Sequence, residues 1–411
     1  MEWSLINRIT SVSKIVNPGD LQYLAAAAVI FPSFLWYFRK NLVSPVKLHI
    51  DESNQGEDGA IKRETLLKRI RNKCPSLFDP EQAKYESTPW LLSGHLQTLY
   101  AAIANFEDTA QVEYERTLVS TPDGGTISVD WCPSAEIKPY DDTPTVVILH
   151  GLTGGSHESY VRQVVESMTQ GPHQFRAVVV NFRGCANTQL TSTQLYSGAY
   201  TDDLRTALKF IQSRIPKARL AGLGFSLGSN VLVKYIGEEK DNCPFVGAVS
   251  VSNPFDLYLA NKWMDETFIN RNLYSKSLTD NLLGVFKSHM HHFENTGLLD
   301  IPHILRSKRI SEFDDRVTRV VFKYDTVDDY YRDASCARFI PDVRIPLLCL
   351  NAIDDPVAYS ECIPYEACRN NPNVILATTE TGGHIGWFTG STTVKRWSVK
   401  PISEFLTAVM V

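Results

Sequence analysis

The chain has 411 residues, of which 43% are hydrophobic and 21% are charged, and its formal net charge at pH 7 is −5. With ordinary glycine and proline contents and no internal repeat, this composition excludes a low-complexity or repeat protein and is typical of a globular one. The mild negative charge gives no electrostatic reason to expect nucleic acid as a partner.

The first predicted element is an apolar segment over residues 21–38, LQYLAAAAVIFPSFLWYF, which follows a tail over residues 1–20. Its 18 residues carry no formal charge, which is close to the minimum for a helix that crosses a bilayer. Trp36 and Tyr37 lie at its end, where interfacial aromatic residues are expected. We interpret the segment as an uncleaved membrane anchor. Pro32 leaves open a buried or surface-lying helix instead.

Basic residues flank this segment on both sides, with Arg8 and Lys14 before it and Arg39, Lys40 and Lys47 after it. Because the following group lies closer, the positive-inside rule favours a cytosolic catalytic region. We therefore expect a single-pass protein of the endoplasmic reticulum or another intracellular membrane. Residues 39–84 are predicted to be a linker and N-terminal extension, with a polar, flexible connection over residues 41–65.

The cysteines support a reducing environment for the catalytic region. Eight are scattered along the chain without a C-x-x-C pair, and their spacing matches no zinc site. Several lie in apolar runs, as Cys349 does in IPLLCLNA, and are interpreted as small buried hydrophobic residues. We therefore predict no metal site and no disulfide framework. The sequence gives no indication of an oligomeric state.

From about residue 113 apolar, β-branched runs alternate with amphipathic stretches. The runs are TPTVVILHGL, FRAVVVNFRG, ARLAGLGFS, FVGAVSVSNP, IPLLCLNAIDDP and NVILATTETGG. The stretches SYVRQVVESMTQ and DDLRTALKFIQSRI carry apolar residues at the three- and four-residue spacing of a helix. Strands that alternate with helices predict βαβ units, and hence an α/β fold with a mainly parallel sheet.

The stretch GLGFSLGSN at residues 222–230 places Ser226 in a G-x-S-x-G pattern. A strand-like run precedes it and a helix-like run follows it, which is the arrangement of a nucleophile elbow. Gly224 and Gly228 would relieve crowding where the serine takes a strained turn. The competing interpretation is a dinucleotide-binding loop. It requires G-x-G-x-x-G, and the last glycine here has the wrong spacing.

A nucleophilic serine requires a base, and the base requires an acid that orients it. In this architecture the chain order is Ser, then Asp or Glu, then His. His384 follows the last predicted strand and is the predicted base. Asp354 and Asp355 end the preceding strand; we favour Asp355 as the acid and leave Asp354 as the alternative. The histidines of SHMHHFE are interpreted as a polar helix face.

Two further features concern the surroundings of Ser226. The glycine-rich stretch ILHGLTGGSHESY follows an early strand, so the backbone N–H groups of Leu152 and Leu227 are the predicted oxyanion-hole donors, with a plain turn as the alternative. Residues 254–340 are long for a connection between strands and are rich in large apolar residues. We interpret them as a helical cap over the site; the alternative is a crossover helix with surface packing.

Seven phrases occur in order along the chain: SGHLQTLYA (93–101), LHGLTGGSHESYVR (149–162), NFRGCANT (181–188), GFSLGSN (224–230), NPFDL (253–257), NAIDDPV (351–357) and GGHIGW (382–387). Together they resemble the α/β-hydrolase group called the AB hydrolase 4 family, over about residues 85–405. That group contains membrane-anchored α/β-hydrolase domain proteins of animals, a bacterial branch, and fungal medium-chain fatty acid ethyl ester synthase/esterases. The resemblance implies an α/β-hydrolase domain over residues 85–411, with Ser226 as nucleophile, His384 as base and the Asp pair as acid.

The resemblance also implies a function. We expect a membrane-associated serine esterase or lipase that hydrolyses medium-chain acyl esters, including monoacylglycerols, and transfers acyl groups from acyl-CoA to alcohols. Its substrates are then lipid esters or acyl-CoA, and it requires no metal or organic cofactor. The H-x-x-x-x-D motif of many glycerolipid acyltransferases is absent from the sequence, so transfer would proceed through an acyl-Ser226 intermediate. A non-catalytic scaffold of this fold and a peptidase are the alternatives.

Overall fold

The computed structural model describes residues 42–50, 56–133, 141–172, 174–294 and 296–411. The predicted anchor at residues 21–38 lies outside these residues. Among the described residues, no helix combines the length and the apolar character needed to span a membrane.

The described strands run from the N-terminal extension to the last helix. They are β1 (Val43–Pro45), β2 (Lys47–Leu48), β3 (Lys84–Glu86), β4 (Glu115–Ser120), β5 (Thr126–Cys132), β6 (Thr145–Leu149), β7 (Arg176–Asn181), β8 (Leu220–Phe225), β9 (Phe245–Val251), β10 (Leu347–Ala352), β11 (Val374–Thr379), β12 (Phe388–Thr389) and β13 (Lys395–Arg396). Nine of them form one sheet in the order β2-β11-β10-β9-β8-β6-β7-β5-β4.

The described α-helices follow the strands in alternation over most of the chain. They are α1 (Gly56–Ile70), α2 (Pro75–Phe78), α3 (Gly94–Ile103), α4 (Ser159–Thr169), α5 (Asp202–Arg214), α6 (Leu227–Glu239), α7 (Leu257–Glu266), α8 (Lys276–His289), α9 (Ile301–Ile304), α10 (Ile310–Phe313), α11 (Arg319–Phe322), α12 (Val327–Ala334), α13 (Tyr365–Asn370) and α14 (Val399–Met410). π-helical turns occur at Asn270–Ser275 and Asp314–Thr318, and 3₁₀ turns at Lys240–Asn242, Met290–His292, Ala337–Asp342 and Ser360–Cys362.

The six predicted strands are the six central strands of the sheet, from β7 to β11, and all six run parallel. Antiparallel strands extend the sheet on both sides, β5 and β4 beyond β7 and β2 beyond β11. Every residue of β6, β7 and β8 is buried. Continuous apolar runs are typical of parallel strands that are covered on both faces, so the predicted α/β architecture is confirmed.

Two hydrophobic clusters lie on the two faces of this sheet. Because side chains alternate along a strand, Val146 and Ile148 of β6 point into one cluster, whereas Val147 and Leu149 point into the other. Helices α1, α4 and α14 cover the first face, and α5, α6 and α13 cover the second. Because the central strands are parallel, their carboxyl ends lie along one edge of the sheet. Ligands usually bind at this edge in such sheets.

The N-terminal extension is more ordered than the sequence suggested. Strand β2 pairs with β11 and joins the main sheet, and α1 packs its apolar side into the core. Arg63 of α1 is fully buried and donates to the carbonyl oxygens of Asn371 and Val374. The prediction of a flexible connection over residues 41–65 is therefore wrong for the described part of that range. Many of the polar residues in that range belong to the amphipathic helix α1. Because α1 packs into the core, the core includes residues before the predicted domain start at residue 85.

The connection between β9 and β10, residues 252–346, carries six of the α-helices, α7 to α12, and both π-helical turns. It has two small hydrophobic clusters of its own. One is centred on Phe286 and Phe313, and the other on Tyr330 and Tyr331. We call this connection the β9–β10 segment.

Candidate active site

Ser226 occupies the sharp turn between β8 and α6, with φ 50° and ψ −120°. This region of backbone conformation is rare for a residue with a side chain. The two flanking glycines permit it, because a Cβ at Gly224 would lie 2.5 Å from Ser229 Cα, and a Cβ at Gly228 would lie 2.3 Å from His150 O. The G-x-S-x-G pattern thus corresponds to a strand–turn–helix elbow.

His384 links Ser226 to Asp355. Its Nε2 lies 2.8 Å from Ser226 Oγ, and its Nδ1 lies 2.9 Å from Asp355 Oδ2. The carboxylate is buried, and its Oδ1 accepts the backbone N–H groups of Val357 and Ala358, each at 2.8 Å. An Nδ1–H that donates to this carboxylate leaves Nε2 to accept the serine hydroxyl proton. The structure brings the three predicted residues into one chain of hydrogen bonds.

The loop that carries His384 is held by three successive backbone amides. The N–H groups of residues 383, 384 and 385 donate to Asp354 Oδ1 at 3.0 Å, Thr98 Oγ1 at 2.9 Å and Ser252 Oγ at 3.1 Å. Each acceptor comes from a different part of the chain: the end of β10, α3, and the residue after β9. These contacts fix the backbone of His384 independently of its ring.

The two aspartates have different roles in this arrangement. Asp355 contacts the His384 ring, whereas Asp354 contacts the backbone of the His384 loop through Gly383. Burial raises the pKa of Asp354 to about 7, and the neighbouring Asp355 acts in the same direction. On geometry, Asp355 is the candidate acid and Asp354 supports the loop.

The predicted oxyanion-hole amides lie on the turns that flank Ser226. A Cβ on Gly151 would come within 3.4 Å of Ser226 Cβ, so the turn after β6 lies directly against the serine. The N–H groups of residues 151 and 153 each donate at 3.0 Å, to the hydroxyl oxygens of Tyr160 and Tyr196. Within the described part of the chain, the N–H groups of Leu152 and Leu227 have no hydrogen-bond partner. Two unpaired donors next to a serine hydroxyl can stabilise an oxyanion.

His150 holds the same turn from inside the core. It is fully buried, its Nδ1 lies 2.7 Å from Gly151 O, and its Nε2 accepts the Phe182 N–H at 3.2 Å. Burial lowers the pKa of His150 to about 4, so the ring is neutral at neutral pH and its Nδ1–H donates to the carbonyl. His150 is therefore a structural histidine that positions the glycine-rich turn.

A cavity of about 130 Å³ opens next to Ser226. Its walls are mostly apolar and come from the turns near Ser226 and from the β9–β10 segment; they include Leu152, Leu195, Leu227, Leu257, Met264, Leu282, Phe286 and Phe313. The buried carboxyl of Asp314 also lines it and accepts hydrogen bonds from Thr318 and Tyr331. A space with these walls fits a hydrocarbon chain.

Sequence reasoning missed the supporting residues Thr98 and Ser252, and it gave Asp354 only as the alternative acid. The phrase SGHLQTLYA contains Thr98, but no pattern in it predicts contact with a histidine loop 286 residues further along the chain. The histidines of SHMHHFE lie apart from the Ser226 cluster. Among them, His289 lies 3.1 Å from the carbonyl oxygen of Gly184.

Comparison with known proteins gives consistent relatives. The family model of the alpha/beta hydrolase fold matches residues 144–391. A monoacylglycerol lipase of Saccharomyces cerevisiae is 31% identical to this chain, and the match covers 92% of the chain and 91% of the yeast protein. The human phospholipase ABHD3 is 34% identical, over 80% of the chain and 78% of the human protein. Medium-chain fatty acid ethyl ester synthase/esterase 2 of S. cerevisiae is 28% identical, over 88% and 92%. The chain belongs to the α/β-hydrolase family.

Proposed function

We propose that this protein is a serine esterase that hydrolyses medium-chain acyl esters of lipids, such as monoacylglycerols or fatty acid ethyl esters. The observation that carries the proposal is the hydrogen-bond chain from Asp355 through His384 to Ser226, at the edge of an apolar cavity. The lipase and esterase names of the relatives support the same reaction type.

In the proposed mechanism, Ser226 Oγ bonds to the ester carbonyl carbon while its proton passes to His384 Nε2. Asp355 holds the ring and stabilises the imidazolium, and the Leu152 and Leu227 amides donate to the oxyanion. Collapse of this intermediate breaks the bond to the alcohol, which leaves with the proton from His384. Water then attacks the acyl-serine through the same base, which releases the fatty acid and restores the serine hydroxyl.

An alcohol that replaces water in the second step would yield a new ester. Transfer from acyl-CoA to an alcohol follows the same course, with a thiol as the first leaving group. No group other than the acyl-serine is required for transfer, because the same base activates either acceptor.

The β9–β10 segment is proposed to act as the cap predicted over residues 254–340. Residues of α7, α8 and α10 line the cavity beside Ser226 and account for much of its apolar wall. A helical cover of this kind suits a hydrocarbon chain, since it removes apolar surface from water along the length of the chain.

Substituting Ser226 and Asp355 tests the nucleophile and the acid. Ser226→Ala should abolish labelling by a fluorophosphonate probe, whereas the exposed Ser213→Ala should label like the wild type. Equal labelling of Ser226→Ala and the wild type would contradict the assignment of the nucleophile.

Asp355→Asn should lower kcat by roughly 10⁴-fold because the histidine tautomer is no longer fixed, and Asp354→Asn should lower kcat far less. A larger loss in Asp354→Asn than in Asp355→Asn would move the acid.

The raised pKa of Asp354 predicts that the stability of the folded protein depends on pH. Its pKa rises from 3.8 to about 7 on folding, so the folded state binds the proton more tightly. The contribution of Asp354 to the free energy of unfolding is therefore complete below about pH 4 and is lost as the pH rises to about 7. In urea unfolding between pH 4 and 8, Asp354→Asn should show a flatter decline with pH than the wild type, while the exposed Asp315→Asn should keep the wild-type slope. Parallel curves for Asp354→Asn and the wild type would contradict the shift.

The acyl-length profile tests the substrate class. Each CH₂ buried in the cavity should contribute about 0.8 kcal/mol, or roughly fourfold in kcat/KM, until the cavity is filled. We expect kcat/KM to rise from acetyl through medium chains and then to level, and added ethanol to divert product from free acid to ethyl ester. A flat profile with active esters would contradict the lipid assignment. A preference for peptide amides would favour a peptidase, and inactivity on all substrates would favour a scaffold.

The apolar segment at residues 21–38 is proposed to anchor the protein in an intracellular membrane, with the catalytic region in the cytosol. The full chain should remain in the membrane pellet after a carbonate wash and move to the soluble fraction when residues 1–40 are removed. Release of the intact chain by carbonate would contradict an integral anchor.

A further inference from the structure

Helix α3 has an inner face that contacts the candidate site. Gly94, Gln97 and Thr98 are buried on this face, and Thr98 accepts the backbone N–H of His384. A Cβ at Gly94 would lie 1.9 Å from Asp354 O, so the helix begins in direct contact with the turn that carries both aspartates. The position of α3 is therefore fixed by the site itself.

The outer face of α3 is apolar and open to solvent. Leu96 and Ile103 are seven residues apart, which places them on one side of the helix, and Ile103 is 79% exposed. The exposed ring of Trp90 packs against Tyr100 on the same helix, with ring centroids 5.0 Å apart. The whole stretch from residue 88 to 106 contains no Asp, Glu, Lys or Arg. Exposed apolar residues that lie together on one surface often mark a site of contact with another molecule or a membrane.

The apolar surface continues onto the β9–β10 segment. His95 of α3 lies 2.6 Å from the hydroxyl oxygen of Tyr274, in the π-helical turn Asn270–Ser275. In and just before this turn, three large apolar residues are exposed, including Phe268 at 80%. We call the combined surface the apolar rim; it consists of Trp90, Leu96, Ile103, Phe268, Ile269 and Leu273.

The apolar rim lies next to the cavity. The chain on either side of the π-helical turn contributes Met264 and Leu278 to the cavity wall. One side of this part of the chain thus faces the cavity, while neighbouring residues project into solvent. A molecule bound to the part of the rim formed by Phe268, Ile269 and Leu273 would lie beside the cavity.

The chain also enters the fold beside the apolar rim. Strand β1 pairs with β3, and the Ser87 N–H donates to Leu42 O at 2.7 Å. Leu42 comes four residues after the predicted anchor at 21–38, and Ser87 comes three residues before Trp90. Leu42 is therefore held a few residues from one part of the rim.

We propose that the apolar rim docks into the surface of the lipid bilayer and presents the cavity to it. This inference rests on the proposed function. A bilayer suits the rim because its residues supply large apolar side chains without carboxylates, which would be costly to insert and would repel anionic headgroups. A lipid ester then passes from the bilayer to the cavity without its acyl chain crossing water.

The test compares two presentations of substrate to the full chain. Phe268→Asp and Ile103→Asp should each lower kcat/KM at least tenfold for a medium-chain monoacylglycerol in phosphatidylcholine vesicles. Both should stay within twofold of the wild type on a water-soluble short-chain ester. The matched control is Leu118→Asp, at a 64% exposed position on β4, which should not change either rate.

A second measurement reports contact with lipid directly. A tryptophan introduced by Phe268→Trp should be quenched by brominated phosphatidylcholine beyond the wild-type signal, whereas one introduced by Leu118→Trp should not. Equal quenching of the two would overturn the proposal.

Three further outcomes separate the two proposals. Equal vesicle rates for the wild type, Phe268→Asp and Ile103→Asp, with normal activity on the soluble ester, would overturn the docking surface and leave the esterase intact. A wild type inactive on both substrates would overturn the proposed function and the docking surface with it. If the rim variants convert a dimer to a monomer but keep the vesicle rate, the rim is an interface between copies and the bilayer is excluded.

Discussion

The strained backbone at Ser226 is the constraint on which the rest of the site depends. A residue with a side chain at φ 50° costs about 1–3 kcal/mol, and it persists only where the surrounding structure imposes it. Here β8 fixes the chain before the turn and α6 fixes it after the turn, while Gly228 lies against the backbone of the turn after β6. The same contact that permits the strain brings Leu152 next to the serine, so the elbow and the adjacent amide donors form a single packed unit.

Asp355 and His384 are held in a different way from Ser226. Both follow strands of the central sheet, but the His384 loop contains positive φ values at Gly383, Ile385 and Trp387, and the sheet alone does not fix such a loop. Its backbone amides are instead bound by side chains from three distant segments. One of these is α3, which lies outside the alternating strand–helix core. The site therefore depends on a helix that precedes the alternating strands and helices as well as on the α/β core.

The sequence predicts the parts of this structure that follow from local pattern. The six central strands were predictable because continuous apolar runs are typical of parallel strands, and Ser226 because its elbow has a local signature. The sequence favours Asp355 as the acid but leaves Asp354 open, since adjacent residues differ only in the direction of their side chains. Thr98 and Arg63 were missed for a related reason: each acts on backbone groups hundreds of residues away, and no local pattern encodes such a contact. The anchor prediction concerns residues outside the described structure.

The contact between Thr98 and the His384 amide has a consequence for the order of synthesis. The two residues are 286 positions apart in the chain. A growing polypeptide exposes the serine elbow and its adjacent turn well before the histidine leaves the ribosome. His384 follows Ser226 by 158 residues, so at about 5–20 residues per second it is synthesised about 8–30 s after the serine. The hydrogen bonds that join Asp355, His384 and Ser226 can therefore form only after the segment that carries His384 has been synthesised.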